Sequence, residues 1–139
     1  MALEALGTPR TAARVLSALL VADPPEQTAE QLSATLHASR GAISGGTAML
    51  ETMGLIERKR RRGDRKDYFR NRPNAWVEVT KQRIAQFTYL RNLVENGLKA
   101  VESDDPGVTE GLRDMRDMLT FYERELPEMF ARWENLRKE

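Results

Sequence analysis

The stretch TAEQLSATLHASRGAISGGTAMLETMGLIERKRRRGDRKDYFRNR, residues 28–72, joins two short helical patterns to a densely basic hairpin pattern. Thr28 offers a hydroxyl that can cap the first helix, and Gln31, three residues later, can cap back. Ser39 is a good N-cap for a second helix, whose apolar residues recur at helical spacing until Gly54 ends it. The segment therefore predicts a helix-turn-helix unit.

The second helix has a small, polar face opposite its apolar one. Short side chains let a helix backbone approach base edges, while Arg, Ser and Thr can donate hydrogen bonds to bases and phosphates. We predict that Arg40, Ser44 and Thr47 read bases and that Ser39 holds a phosphate. For this helix taken alone, a helix pair packed inside an ordinary bundle is the alternative. The face comprises Arg40, Gly41, Ser44, Gly45, Ala48 and Glu51, with Thr47 at its edge.

Three glycines in the second helix need a physical reason. Each of Gly41, Gly45 and Gly46 costs roughly 1 kcal/mol relative to Ala in a helix interior. Close approach of the helix to DNA, or to its partner helix, would explain them.

The segment after the second helix predicts a two-stranded basic hairpin. Residues 55–58 and 68–70 are strand candidates on either side of Gly63-Asp64, a strong turn dipeptide. Residues 57–72 hold nine Lys or Arg against three acidic residues, a local charge of +6. Beside a capped helix, such a hairpin is typical of a wing that clamps phosphates, with a solvated basic loop or a localisation-type patch as the alternative. The cations expected to touch phosphates or the adjacent minor groove are Arg61, Arg62, Arg65 and Lys66.

These segments resemble MarR-type regulators, and most closely their GbsR-like branch. The resemblance covers about residues 7–75, and beyond them only the helical character agrees. It implies a homodimeric, DNA-binding transcription regulator that senses a small effector such as choline. It also implies an Asp-x-Arg pattern in the wing, where this chain has Asp64, Arg65 and Lys66. The segments that carry the resemblance are GTPRTA at 7–12, ADPP at 22–25, SRGAIS at 39–44, LETMGLI at 50–56 and GDRKDY at 63–68.

Length and charge distribution narrow the possibilities further. The 139 residues, 40% of them apolar, suit one compact domain or one small domain with helical extensions. The net charge is +1, but residues 103–139 hold ten acidic against six basic residues, so only the centre is expected to face nucleic acid. The absence of cysteine excludes disulfides, thiol redox sensing and Cys-based zinc sites. No stretch approaches the roughly 20 apolar residues of a membrane span.

Two long helices are predicted after the hairpin, one over residues 73–101 and one that starts at Asp105-Pro106. The apolar residues of the last helix alternate spacings of three and four, which is a coiled-coil seam. We predict that this seam forms a dimer interface, and the alternative is that it packs within its own subunit. The interface residues expected are Leu112, Met115, Leu119, Tyr122, Leu126, Met129 and Trp133. Residues 1–7, which look like the end of a helix, are a candidate addition to this region.

Few residues in the sequence suggest an enzymatic function, and no cofactor or metal is predicted. His37, the single histidine, falls in the turn between the two helices. Asp114 and Asp117 fit the solvated face of an amphipathic helix. The aromatic residues fit core or dimer packing, or else a cage for a cationic ligand. They are Trp76, Phe87, Tyr89, Phe121, Tyr122, Phe130 and Trp133.

The predicted fold is mainly α: a winged helix-turn-helix domain with a two-stranded wing at residues 1–72, and long C-terminal dimerisation helices at residues 73–139. The predicted function is that of a cytoplasmic, dimeric regulator that binds a palindromic operator in double-stranded DNA and responds to a small-molecule effector. A repressor is favoured, since an operator-bound dimer blocks polymerase without further machinery. The alternative is a helical interaction module whose basic hairpin grips an acidic protein or RNA.

Overall fold

A computed structural model describes residues 8–139, so the helix predicted at the start of the chain lies outside the described residues. The protein is mainly helical, as predicted. Its elements are α1 (Arg10–Leu20), β1 (Gln27–Thr28), α2 (Ala29–Leu36), α3 (Arg40–Thr52), β2 (Ile56–Arg60), β3 (Asp67–Asn71), α4 (Ala75–Ala100) and α5 (Pro106–Leu136). Two compact units meet within α4, one ending at Val79 and the other spanning Thr80–Glu139.

The helix-turn-helix is confirmed, together with both of its predicted caps. Thr28 Oγ1 accepts a hydrogen bond from the Gln31 backbone N–H at 3.2 Å, and Gln31 Oε1 accepts one from the Thr28 N–H at 2.8 Å. His37 ends α2 in the left-handed region, with φ 48°. Ser39 Oγ then accepts from the Ala42 N–H and begins α3. These local bonds satisfy backbone donors that a helix start leaves unpaired.

The core of the first unit lies where α1, α2 and α3 meet. Its most deeply buried side chains include Leu16, Leu32, Ile43 and Leu50. A Cβ at Gly46 would lie 3.4 Å from Val15 Cγ2 and 3.5 Å from the Ala12 backbone. The missing side chain therefore lets α3 pack closely on α1, which accounts for this glycine by contact with a partner helix.

The sheet has three strands, where the sequence predicted only the two strands of the wing. β2 and β3 form the antiparallel hairpin, and β1 pairs antiparallel with the other edge of β3. Only two residues take part in that extra pairing, Gln27 opposite Phe69 and Thr28 opposite Tyr68. A strand of two residues is too short to show an alternating pattern, so the sequence could not reveal it.

The compact first unit extends beyond the predicted domain boundary at residues 72 and 73. Ala75, in the first turn of α4, is buried in the core of this unit, and Val79 packs against the same core. The first turn of α4 packs into the core of the unit. This hydrophobic contact, rather than the end of the hairpin near Pro73, determines where the unit ends.

The second unit is an antiparallel pair formed by the later part of α4 and by α5. The Phe87 and Tyr122 rings are 5.5 Å apart between centroids, and Lys81 Nζ lies 2.8 Å from Glu134 Oε1. α5 continues across Pro127, which removes one backbone donor without ending the helix. Among residues 8–139, no helix is both long and apolar enough to cross a membrane.

We expect Thr28→Val to lower the free energy of unfolding by about 1 kcal/mol, because the variant keeps the shape but leaves the Gln31 N–H without its acceptor. Thr47→Val is the matched control, since the buried Thr47 hydroxyl only donates to the carbonyl oxygens of Ile43 and Ser44 within α3. Urea unfolding followed by circular dichroism at fixed protein concentration measures both. Equal losses for the two variants would argue against the cap as the cause.

Candidate DNA-binding surface

The solvent-facing side of α3 is small and polar, as the sequence predicted. Arg40, Gly41, Ser44, Gly45 and Ala48 are all exposed. A Cβ at Gly41 or Gly45 would meet no atom within 4 Å, so no contact inside the described chain explains either glycine. Their cost in helix stability points to something outside the chain that comes close to this face.

Arg40 is the first residue of α3, and its side chain is 77% exposed. Its Nη2 donates to Glu30 Oε1 at 2.8 Å, which ties the start of α3 to the first turn of α2. A guanidinium has five donors, so most of them stay available to bases or phosphates. Ser39, whose Oγ accepts the cap bond, can still donate its hydroxyl proton to a phosphate.

Thr47 does not lie at the edge of the polar face, where the sequence pattern predicted it. The residue is only 1% exposed, and its hydroxyl donates to the Ile43 carbonyl oxygen at 2.9 Å. α3 rotates its apolar seam toward α1, and this rotation carries Thr47 from the edge of the polar face into the core. A buried, internally bonded hydroxyl cannot read a base, so only Arg40 and Ser44 of the three predicted base contacts are exposed.

Most of the cations in the wing are held by acidic side chains of the same unit. Arg58 bridges Glu51 and Asp67 at 3.0 and 3.1 Å. The same Asp67 carboxylate also accepts from Arg60 Nε at 2.9 Å, and these bonds lower the pKa of Asp67, with the Arg60 hydrogen bond as the largest cause. Three acidic residues outside the segment, Glu26, Glu30 and Glu51, therefore reduce the charge of +6 counted from the sequence to +3.

Arg61 and Lys66, two of the four predicted wing contacts, are also engaged. The Arg61 guanidinium stacks over the Tyr68 ring at 3.8 Å and lies 3.2 Å from Glu26 Oε2. Lys66 Nζ lies 3.5 Å from Glu30 Oε2. Arg62 and Arg65, the other two, are exposed and have no ion pair or hydrogen bond with the described part of the chain.

The tip of the wing is fixed by Asp64. Its carboxylate accepts from the Lys66 backbone N–H at 2.9 Å and from the Tyr68 hydroxyl at 2.7 Å, and these two bonds lower the pKa of the carboxyl. Gly63 occupies the left-handed region at φ 80°, which a side chain would strain. The turn therefore presents Arg62 and Arg65 from a defined backbone.

The predicted dimer seam divides into two parts. Leu119 is 3% exposed within the chain, Tyr122 stacks on Phe87, and Leu112 approaches Gly97 of α4. These three residues contact α4 or are buried within the chain, which is the packing that the alternative expects. Met129 and Trp133 remain 43% and 49% exposed, so they are free of that packing.

A second line of exposed apolar residues on α5 shares Met129 with the predicted dimer interface and adds Met118, Phe121 and Leu136. Large apolar side chains stay more than two-fifths exposed at Met118, Phe121, Met129 and Leu136. At 100° per residue these four positions fall within about 80° of arc, and we call them the α5 stripe. Searching for a second apolar line beside the heptad seam could have found them.

The geometry defines a class of protein. A winged helix-turn-helix whose second helix has a bare polar face, beside a wing with two unpaired arginines, is the architecture of a DNA-binding protein.

Comparison with known proteins identifies the family. A model of the MarR family matches residues 6–67, and a model of MmpR5-like MarR family transcriptional regulators matches residues 74–136. The HTH-type transcriptional regulator MmpR5 of Mycobacterium tuberculosis is 39% identical over 130 residues, which are 94% of this chain and 79% of that protein. The crystal structure of a transcriptional regulator, also 39% identical, superposes with a TM-score of 0.79 over 95% of this chain and 90% of its own.

The chain therefore belongs to the MarR family of DNA-binding transcriptional regulators, which are not enzymes. The resemblance to the GbsR-like branch is not confirmed, since the matching family model and the relative are both of the MmpR5 type. Membership of this family supports DNA binding over the alternative of a helical module that binds an acidic protein or RNA.

We expect Gly45→Ala to raise the free energy of unfolding by up to about 1 kcal/mol, because its Cβ would enter open space within the helix. The same methyl should weaken DNA binding roughly five- to tenfold, because it holds α3 off the duplex. Gly111→Ala is the matched control in α5, where a Cβ also meets nothing within 4 Å. It should stabilise similarly and leave DNA affinity unchanged. Unaltered binding by Gly45→Ala would remove DNA contact as the reason for this glycine.

Proposed function

We propose that the chain acts in the cytoplasm as a homodimeric repressor that binds a palindromic operator. The observation that carries this proposal is the polar face of α3, which has open space over Gly41 and Gly45 and lies in the same unit as a wing tip with two unpaired arginines. An α-helix fits the major groove, and a wing beside it reaches the phosphates or the minor groove next to it.

In this proposal Arg40 and Ser44 read base edges and Ser39 donates to a phosphate. Arg40 suits the two acceptors of guanine, because a guanidinium presents paired donors in a fixed plane. Ser44 lies one helical turn further along the same face, where a short hydroxyl side chain can reach a neighbouring base.

In the wing, Arg62 and Arg65 make the first contacts with DNA. Neither must break an ion pair to reach a phosphate, whereas Arg61 and Lys66 must leave Glu26 and Glu30. Arg65 follows Asp64 directly, so the bonds that fix the Asp64 carboxylate also fix the backbone from which Arg65 extends. These features favour Arg65 for the minor groove.

The dimer forms through the α5 stripe and Trp133. Burying a large apolar side chain stabilises by about 1.5–3 kcal/mol, and two-fold symmetry counts each contact twice. A two-fold dimer presents two α3 helices to two half-sites, which is why the operator is palindromic. Repression follows when the bound dimer occupies the site that polymerase needs.

The proposed regulator also responds to a small-molecule effector. The aromatic residues give little support to a cage for a cation such as choline. Phe87 and Tyr122 contact each other, Tyr122 also lies 6.3 Å from Phe121, and Arg124 covers the Phe121 ring at 5.4 Å. Rings that contact one another, with a guanidinium of the same chain over one of them, fit core or dimer packing better.

We expect Arg62→Ala combined with Arg65→Ala to lower affinity on all duplexes and to flatten the salt dependence of binding by up to about two units, one for each phosphate that is no longer neutralised. Fluorescence anisotropy across a salt series measures the slope, with operator duplexes first selected from a random pool by the wild-type protein. Arg137→Ala combined with Lys138→Ala, the same loss of charge at the C-terminus, should leave the slope as it was. A wild-type protein that selects no duplex would contradict the proposed function.

We expect Met118→Glu combined with Phe121→Glu to dissociate the dimer, because burying two unpaired carboxylates in an apolar interface is strongly unfavourable. Thr120→Glu is the control for added charge, since Thr120 is exposed on a different side of α5. Sedimentation at micromolar concentration should show monomers for the double variant and dimers for the control. An intact dimer in the double variant would place the interface elsewhere.

A further inference from the structure

Glu30 lies between the two parts of the DNA-binding surface. It lies in the first turn of α2, and its carboxylate contacts one cation from α3 and one from the wing. Oε1 accepts from Arg40 Nη2 at 2.8 Å, at the start of α3, and Oε2 lies 3.5 Å from Lys66 Nζ in the wing. No other acidic side chain with a described ion pair links α3 to the wing tip.

These three charges border a cleft of about 280 Å³ that opens between α3 and the wing. Its lining includes Thr28, Glu30, Arg40, Ser44, Lys66 and Phe69. The Arg40 and Glu30 side chains are 77% and 54% exposed, so their ion pair is solvated and accessible to a phosphate. A phosphate that approaches the cleft must therefore compete with a carboxylate already in place.

We propose that Glu30 is a positioning residue that sets sequence specificity, a proposal that rests on the proposed function. Its carboxylate holds Arg40 and Lys66 in the DNA-free protein and reduces their grip on the phosphates of arbitrary duplexes. It also restrains the Arg40 guanidinium at one nitrogen, leaving the remaining donors oriented for a base edge. Glu30 thus weakens non-specific binding more than operator binding.

The difference between operator and arbitrary DNA follows from what each can offer Arg40. On arbitrary DNA the gain is a phosphate contact, which depends on net charge and which the negative charge of Glu30 opposes. On the operator the gain is a pair of directed hydrogen bonds to a base, which benefit from a guanidinium whose orientation is already restrained. Removal of the Glu30 charge should therefore strengthen binding to arbitrary DNA and weaken binding to the operator.

The test measures full-length Glu30→Gln on a duplex selected by the wild-type protein and on duplexes of random sequence. We expect affinity for random duplexes to rise about fivefold, with a salt slope steeper by about one unit. The ratio of specific to non-specific affinity should fall by at least that factor. Asp117→Asn is the matched control, because Asp117 forms an exposed ion pair of 2.8 Å with Arg116 on α5, and it should change neither quantity.

A second background separates a positioning role from a general charge effect. In an Arg40→Ala protein, Glu30→Gln should have no further effect on discrimination at the base pair that Arg40 reads. The affinity for random duplexes should still rise in part, because Lys66 is released from Glu30. Wild-type protein that selects a duplex, together with an unchanged specificity ratio in Glu30→Gln, would overturn the role of Glu30 and leave the proposed function intact. A wild-type protein without selectivity would instead overturn the proposed function.

Discussion

The close packing of α3 on α1 determines the geometry of the candidate DNA-binding surface. Gly46 brings the two helices together, and Ile43 and Leu50 extend the contact along the same line. Fixing this line fixes the rotation of α3 about its own axis. The rotation then exposes Arg40 and Ser44, buries Thr47, and leaves the glycines on the outer face with open space above them.

Charge in the first unit is organised more finely than a count of basic residues suggests. Acidic side chains from α2, α3, the sheet and the loop before β1 hold most of the wing cations in ion pairs, and Arg62 and Arg65 at the exposed tip have no ion pair with the described residues. Paired cations contribute little to the field that attracts DNA at a distance, since each neighbouring carboxylate cancels a charge. In the proposed complex, the unpaired arginines and the polar face of α3 therefore dominate the first encounter with DNA.

The helical pair of the second unit illustrates how one heptad pattern can serve two purposes. An α-helix drifts by about 20° per heptad relative to a strict seven-residue repeat. Leu112 and Leu119 consequently face α4, while Met129 and Trp133 turn toward solvent. The face left exposed is the α5 stripe, whose apolar character is unusual for a surface without a partner.

Features that depend on near neighbours in the chain follow from the order of residues alone. The capping box of Thr28 and Gln31, the Ser39 cap and the Gly63-Asp64 turn are all bonds or backbone conformations within a few residues, so the order of residues was enough to predict the helix-turn-helix and the hairpin. Four features required the folded structure: the pairing of β1 with β3, the burial of Thr47, the link from Glu30 to Arg40 and Lys66, and the division of the α5 seam. Each of these depends on the distance and rotation between elements far apart in the chain, which periodicity and composition do not encode.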